Sequence, residues 1–160
     1  MNAGTFDVGC ACASFPTGLA AAASFIASNP SLRTILVVGV YLMHKLADPK
    51  DPMIFFYGDG AGAAVIEPAD QPGFLSSSFS ADGSYHRHWG IYAGGTAEPA
   101  TQESVRAGRT RVHMNERYPP EMNNVGWPKT VRDLAKNGGF TLEEIDQLIF
   151  LKCESRPLNW

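Results

Sequence analysis

Cysteine is scarce in this sequence: Cys10, Cys12 and Cys153 are the only three. An odd number without framework spacing excludes a disulfide scaffold and fits a reducing compartment. Cys10 and Cys12 stand two apart, and so short a loop rarely closes without strain. A cytoplasmic protein is therefore expected. A dominant charge sign is also missing. Thirteen Lys and Arg against sixteen Asp and Glu leave a formal net charge of −3, which makes no electrostatic case for nucleic acid or an anionic membrane as partner. No apolar run is expected to reach the roughly 20 residues that span a bilayer. No basic region followed by a long apolar stretch marks a secretory signal. Tandem repeats and low-complexity segments are absent too.

What remains is the composition of a globular protein, 44% hydrophobic and 18% charged over 160 residues. That length suits one domain with a sizeable core. Phe15, Leu19, Ala22 and Ile26 recur at helical spacing, with alanine and serine on the other faces. This predicts a helix buried on nearly every side. Pro16 falls in its first turn and Asn29-Pro30 ends it. Residues 34–40 form a β-branched run expected to be a strand buried on both faces. Further strands are expected at 53–57, 63–67 and 74–81, with a tight glycine turn at 58–62. Residues 82–120 read as a long surface excursion with a short helix at 102–107. A helix over 124–136, capped by Asn124, follows. Thr141 to Glu144 form a capping box opening a short helix, and 148–151 form a strand. The order is mixed α/β. It begins with a helix lacking a preceding strand and ends on an uncovered strand, so both ends read as cut.

Few side chains carry chemistry. Cys12 stands at the N-terminus of the first helix, where the dipole and free N–H groups favour thiolate and can hold an oxyanion. The alternative is a small buried hydrophobe. Cys10 reads as packing. Gly58-Asp59-Gly60-Ala61-Gly62-Ala63 fits a loose dinucleotide pattern, but that motif must open a helix, and a strand follows here. His86 and His88, even with His113, make a weak metal signal, and neither a metal nor a cofactor is expected. His44 is either a satisfied histidine or a site residue. Residues 106–111 are a basic cluster that could meet a phosphate or an acidic carrier, with a solvated face the better reading.

Residues 6–15, Phe-Asp-Val-Gly-Cys-Ala-Cys-Ala-Ser-Phe, resemble the nucleophile motif of type III β-ketoacyl synthases, with Asp7 and Cys12 matching its aspartate and cysteine. Leu36-Val37-Val38-Gly39 resembles the strand that follows. Residues 57–67 resemble the family's glycine-rich strand pair, and Ser80-Ala81-Asp82-Gly83-Ser84 a later loop. The resemblance is clear over 6–83 and looser over 124–150. It implies part of a thiolase-like fold, with Cys12 accepting an acyl group from a coenzyme A or acyl carrier protein thioester. Decarboxylative Claisen condensation with a malonyl thioester would follow, in a homodimer. Asp7, Gly58, Asp59, Gly60 and Gly62 would be structural support. Residues 1–81 would be the end of the N-terminal thiolase half and the start of the C-terminal half. Residues 82–121 would be the excursion, and 122–160 part of the C-terminal half with a divergent tail. The family's histidine belongs just after residue 150, where Leu151-Lys152-Cys153 stand, and the place of its asparagine is not reached. A catalytically incomplete fragment, or a non-catalytic thiolase-fold partner subunit, is the alternative function.

Overall fold

The computed structural model describes residues 3–149. The chain divides into two compact units. One comprises Met1–Gly39, Ala61–Phe79 and Pro128–Trp160; the other comprises Val40–Gly60 and Ser80–Trp127.

In the first unit, α1 (Ser14–Ser28) forms because its alanine-rich sequence has high helix propensity and Pro16 sits where no backbone donor is needed. Asn29 stops it: its backbone N–H reaches the Phe25 carbonyl at 2.9 Å, and its side-chain oxygen accepts from the Ser31 N–H and hydroxyl at 3.1 and 2.7 Å. This Asx turn offers the backbone an alternative to another helical turn. β1 (Ile35–Leu42) follows. Gly39 accommodates the Phe15 ring so closely that an added Cβ would stand 2.9 Å from it, and a Cβ on Gly18 would meet Val37 at 3.1 Å. α1 thus lies against the odd-numbered face of β1.

Burial departs from expectation in both elements. Only Gly18, Ala20 and Ala22 of α1 are buried, and β1 alternates instead of being covered twice. Leu36, Val38, Val40 and Leu42 are 61%, 54%, 62% and 49% exposed. The strand therefore has one covered face and one open apolar face. Ala11–Ser28, the helix with its preceding 3-10 turn, is also an 18-residue helical run of mean hydropathy 1.3. By length and composition it is long and apolar enough to cross a membrane, contrary to the sequence reading. Its packing on β1 covers only part of that apolar surface, with 17% of the run buried.

β2 (Asp59–Ile66) pairs with β1 in a two-stranded sheet. The Thr34 hydroxyl before β1 meets the Glu67 carboxylate after β2 at 3.0 Å, and His44 after β1 meets Asp59 at the start of β2. Start meets end on both sides, so the strands run antiparallel. α4 (Gly126–Gly138) buries Pro128, Val131 and Ala135, one stripe at helical spacing, and exposes an ion pair between Lys129 and Asp133. Gly139, at φ 72°, ends it. The helix expected over 124–136 thus starts two residues later. Asn124 does not cap it, but closes the short α3 (Glu121–Asn124). The strand expected at 74–81 is irregular backbone. The Ser76 hydroxyl donates to the Leu134 carbonyl of α4 at 2.9 Å and the Asn137 amide donates to the Ser77 carbonyl at 3.3 Å, so this segment is tied to a helix and not to a ladder. Leu148 and Ile149 are not in a strand, and the rest of that expected strand lies outside the described residues.

In the second unit, the expected strand at 53–57 is a 3-10 helix, Pro52–Phe56. Asp51 caps it by accepting from the Met53 N–H at 2.9 Å, and Pro52 supplies a preset φ at the first position. This local start outweighs the strand preference of Ile54, Phe55 and Phe56. The expected turn at 58–62 is likewise corrected: Asp59, Gly60, Ala61 and Gly62 extend as the first half of β2. β3 (Trp89–Gly90) and β4 (His113–Met114) pair antiparallel, Trp89 with Met114 and Gly90 with His113. Between them α2 (Gln102–Arg106) has a reciprocal capping box: the Ser104 N–H donates to the Thr101 hydroxyl at 3.1 Å, and the Thr101 N–H to the Ser104 hydroxyl at 2.9 Å. Ala47, Ala93, Ser104 and Val112 are buried. The Val112 N–H donates to the Leu46 carbonyl at 2.9 Å, joining the segment after β1 to the segment before β4.

Candidate active site

Cys12 lies in a 3-10 turn, Ala11–Ala13, that runs directly into α1. The turn is sharp because Ala11 has φ 48°, the one positive φ outside glycine among the described residues. For an L-residue with a Cβ that conformation costs about 1 kcal/mol or more, and it persists only where the surroundings hold it. Ser14 provides that hold. Its hydroxyl accepts from the Cys10 N–H at 2.8 Å and donates to the Ala11 carbonyl at 2.7 Å. The Ala13 N–H closes the turn onto the Cys10 carbonyl at 3.1 Å. Cys12 is thereby carried on a pinned elbow, and both it and Cys10 are free and exposed. Exposure removes the buried-hydrophobe alternative for Cys12 and the packing role expected of Cys10.

The supporting residues divide between the units. Asp7, like Cys12 and Gly62, belongs to the first. It is exposed and makes no hydrogen bond to the described residues. Phe6 beside it packs edge-on against Phe25 of α1, ring centroids 5.8 Å apart, which anchors the approach to the elbow. Gly58, Asp59 and Gly60 belong to the second unit. An added Cβ at Gly58, Gly60 or Gly62 would meet nothing within 4 Å, so these glycines do not serve a close approach among the described residues. Asp59 has a definite partner: its carboxylate holds Nδ1 of His44. His44 is thus the satisfied histidine of the two readings, although its Nε2 remains available.

The same unit holds further aromatic contacts. Tyr57 and Trp89 stand 6.2 Å apart, and burial, opposed by the Trp89 side chain and aided by Asp51, pushes the Tyr57 phenol above its usual range. The Trp89 Nε1 is buried without a hydrogen-bond partner among the described residues. His88 stacks on Tyr118 at 5.5 Å, meets the edge of Tyr85 at 5.0 Å and lies 3.5 Å from the Glu116 carboxylate. His86 instead faces the Gly83 carbonyl at 3.0 Å and His113 the Gly108 carbonyl at 2.9 Å. The three histidines therefore have separate partners and do not converge on a metal.

Sequence reasoning missed Ser14 and the Ala11 backbone. A serine two residues beyond Cys12 was a signal for a local side-chain to backbone bond. Nothing in an alanine announces a left-handed φ.

Comparison with known proteins bears on the elbow. Residues 6–83 match the family described as 3-Oxoacyl-[acyl-carrier-protein (ACP)] synthase III. A beta-ketoacyl-[acyl-carrier-protein] synthase III of Roseiflexus castenholzii is 37% identical over 117 residues, covering 72% of this chain and 36% of the relative. Its namesake from Caldanaerobacter subterraneus subsp. tengcongensis is 31% identical over 161 residues, 99% of this chain and 48% of the relative. The chain thus spans about half the length, or less, of the curated relatives it matches. A crystal structure of a 3-oxoacyl-(acyl-carrier-protein) synthase III superposes with a TM-score of 0.66 at 21% identity, covering 84% of this chain and 43% of that one. The fold is accordingly mixed α/β and part of a thiolase-like architecture.

Proposed function

The chain belongs, through residues 6–83, to the 3-oxoacyl-[acyl-carrier-protein] synthase III family, and from that premise we propose that it is an acyltransferase in which Cys12 is the acyl acceptor. The donors are acyl thioesters of coenzyme A or acyl carrier protein. The Cys12 sulfur attacks the thioester carbonyl carbon, the bond from that carbon to the donor sulfur breaks, and the donor leaves as a thiol with the proton that Cys12 gives up. Backbone N–H groups at the start of α1 favour the oxyanion formed on the way. The observation that carries this reading is the exposed cysteine on its elbow, with Ala11 in the left-handed region and Ser14 bonded to both Cys10 and Ala11.

The chemistry proposed for this chain is confined to acyl transfer onto Cys12. Condensation with a malonyl thioester, in fatty acid or polyketide-type biosynthesis, is the reaction expected of the parent family. It needs a histidine where this sequence reads Leu151-Lys152-Cys153. A cytoplasmic location and a division of the chain into residues 1–81, 82–121 and 122–160 across the two thiolase halves complete the proposal, as does homodimer assembly.

A second reading, a non-catalytic subunit that pairs with another thiolase-fold chain, draws on the open stripe of Leu36, Val38, Val40 and Leu42. Intact-mass measurement after incubation with short acyl-coenzyme A thioesters separates the two. One acyl group on Cys12, absent from Cys12→Ala, supports acyl transfer. A folded chain that takes no adduct, and elutes as an assembly in size-exclusion chromatography, supports the second reading.

A further inference from the structure

In the basic cluster at residues 106–111, Arg106 and Arg109 are exposed and Arg111 half-exposed, in line with a solvated face, but Arg109 and Arg111 take separate partners. Arg111 turns to the Asp48 carboxylate, with Nη1 to oxygen at 3.3 Å. Arg109 turns to a cleft of ≈ 410 Å³ that also involves Arg87, Tyr92, Ala107, His113 and Asn115. All six residues lie in the second unit. The β3–β4 pairing fixes the two walls, because Gly90 is in register with His113. Arg87 is held through its backbone: its carbonyl accepts from the Tyr92 hydroxyl at 2.7 Å and from the Asn115 amide at 3.1 Å. Its guanidinium has no hydrogen-bond or ion-pair partner among the described residues.

The donors that remain decide what the cleft can take. Arg109 gives Nε and Nη2 to the Glu98 carboxylate, which leaves Nη1 unbonded among the described residues. Nε2 of His113 faces the Gly108 carbonyl and so carries the proton there. Among the described residues no carboxylate lines the cleft itself, and Glu98 bears on it only through its ion pair with Arg109. Two guanidinium groups with unused N–H donors match an oxyanion with several oxygens, for which the planar fork of arginine is well suited. The volume far exceeds a bare phosphate and lies in the range of small-molecule sites, and the Tyr92 ring and Ala107 methyl offer apolar wall to an attached organic group.

We propose that the cleft formed by Arg87, Tyr92, Ala107, Arg109, His113 and Asn115 is a binding site for a phosphate monoester of a small organic molecule. The site is independent of acyl transfer to Cys12. Calorimetric titration of the full 160-residue chain with adenosine monophosphate, inorganic phosphate and adenosine tests it. The monophosphate is expected to bind several-fold more tightly than inorganic phosphate, and adenosine not to bind. Arg87→Gln, an exposed position, should weaken the monophosphate about tenfold. Glu98→Gln should tighten it a few-fold by releasing the Arg109 fork, a gain that mere structural damage would not produce. The proposal is overturned if the monophosphate does not bind, if inorganic phosphate binds equally well, if Arg87→Gln changes nothing, or if Glu98→Gln weakens binding.

Discussion

α1 and α4 show two ways of being a helix in one chain. α4 separates its faces: Pro128, Val131 and Ala135 are inside, and Lys129 and Asp133 pair outside. α1 carries almost no charge, buries only glycine and alanine, and leaves Phe25 44% exposed. The first pattern is complete against one neighbour. The second is that of a helix made to be surrounded, seen here with a neighbour on one side. The difference teaches that helical periodicity reports where a partner lies, while an all-round apolar surface reports only that partners are wanted.

A charge on each helix tests that contrast most strongly. Val131→Asp, which buries an unpaired carboxylate, should cost about 3 kcal/mol or more and remove cooperative melting. Ala27→Glu, on the exposed side of α1, should stay within about 0.5 kcal/mol. An equal cost for the two in thermal denaturation would mean that the outer side of α1 is covered in solution, and the comparison would break. Next in size is the contact that α1 does make. Gly39→Val should force the Phe15 ring aside and destabilise by about 1–3 kcal/mol; a melting temperature unchanged from wild type would dissolve the α1–β1 packing.

Two smaller changes act at the elbow. Ser14→Ala removes both hydrogen bonds around Ala11 and should cost about 1 kcal/mol in denaturant titration. Acylation of Cys12, followed by mass, should slow with it. Ala11→Gly should stabilise by about 1 kcal/mol, since glycine adopts φ 48° without a Cβ penalty; a loss of stability would show that the turn is held in some other way. The smallest expected effect is with pH. The Ser84 side chain, with its backbone N–H, holds the Asp82 carboxyl below its usual range, and the Arg109 side chain holds Glu98 below its own. Lowered carboxyl values in the folded state contribute stability above the unfolded values that is lost as pH falls through the folded ones. Asp82 is exposed and Glu98 half-exposed, so solvent screens both and the loss at acid pH should be slight, and Asp82→Asn with Glu98→Gln should flatten it.

Much of this was legible in the sequence. The 102–107 helix shows its threonine start, and α1 and β1 show their composition. Cys12 could be placed at a helix start because proline and alanine follow it. What was not legible depended on contacts across the chain or on backbone conformation. Residues 53–57 have strand-forming side chains, but Asp51 and Pro52 set a 3-10 start before those preferences act. The glycines at 58–62 look like a turn until β1 is seen to pair with them. Residues 74–81 have strand composition, yet a ladder needs a partner, and Ser76 and Ser77 instead meet α4. The cleft was hidden because residues 106–111 give no sign of which arginine turns to Asp48 and which lines the cleft.

The outer stripe of β1 has a bearing on how this chain fares inside a cell. Four branched or aliphatic side chains in a row on an extended segment are the pattern that holding chaperones grip and that nucleates β-aggregates. A chain that displays it while otherwise folded would be handled by quality control as an unfinished product. Its abundance would then follow the supply of whatever surface closes over Leu36, Val38, Val40 and Leu42 more closely than its own rate of synthesis.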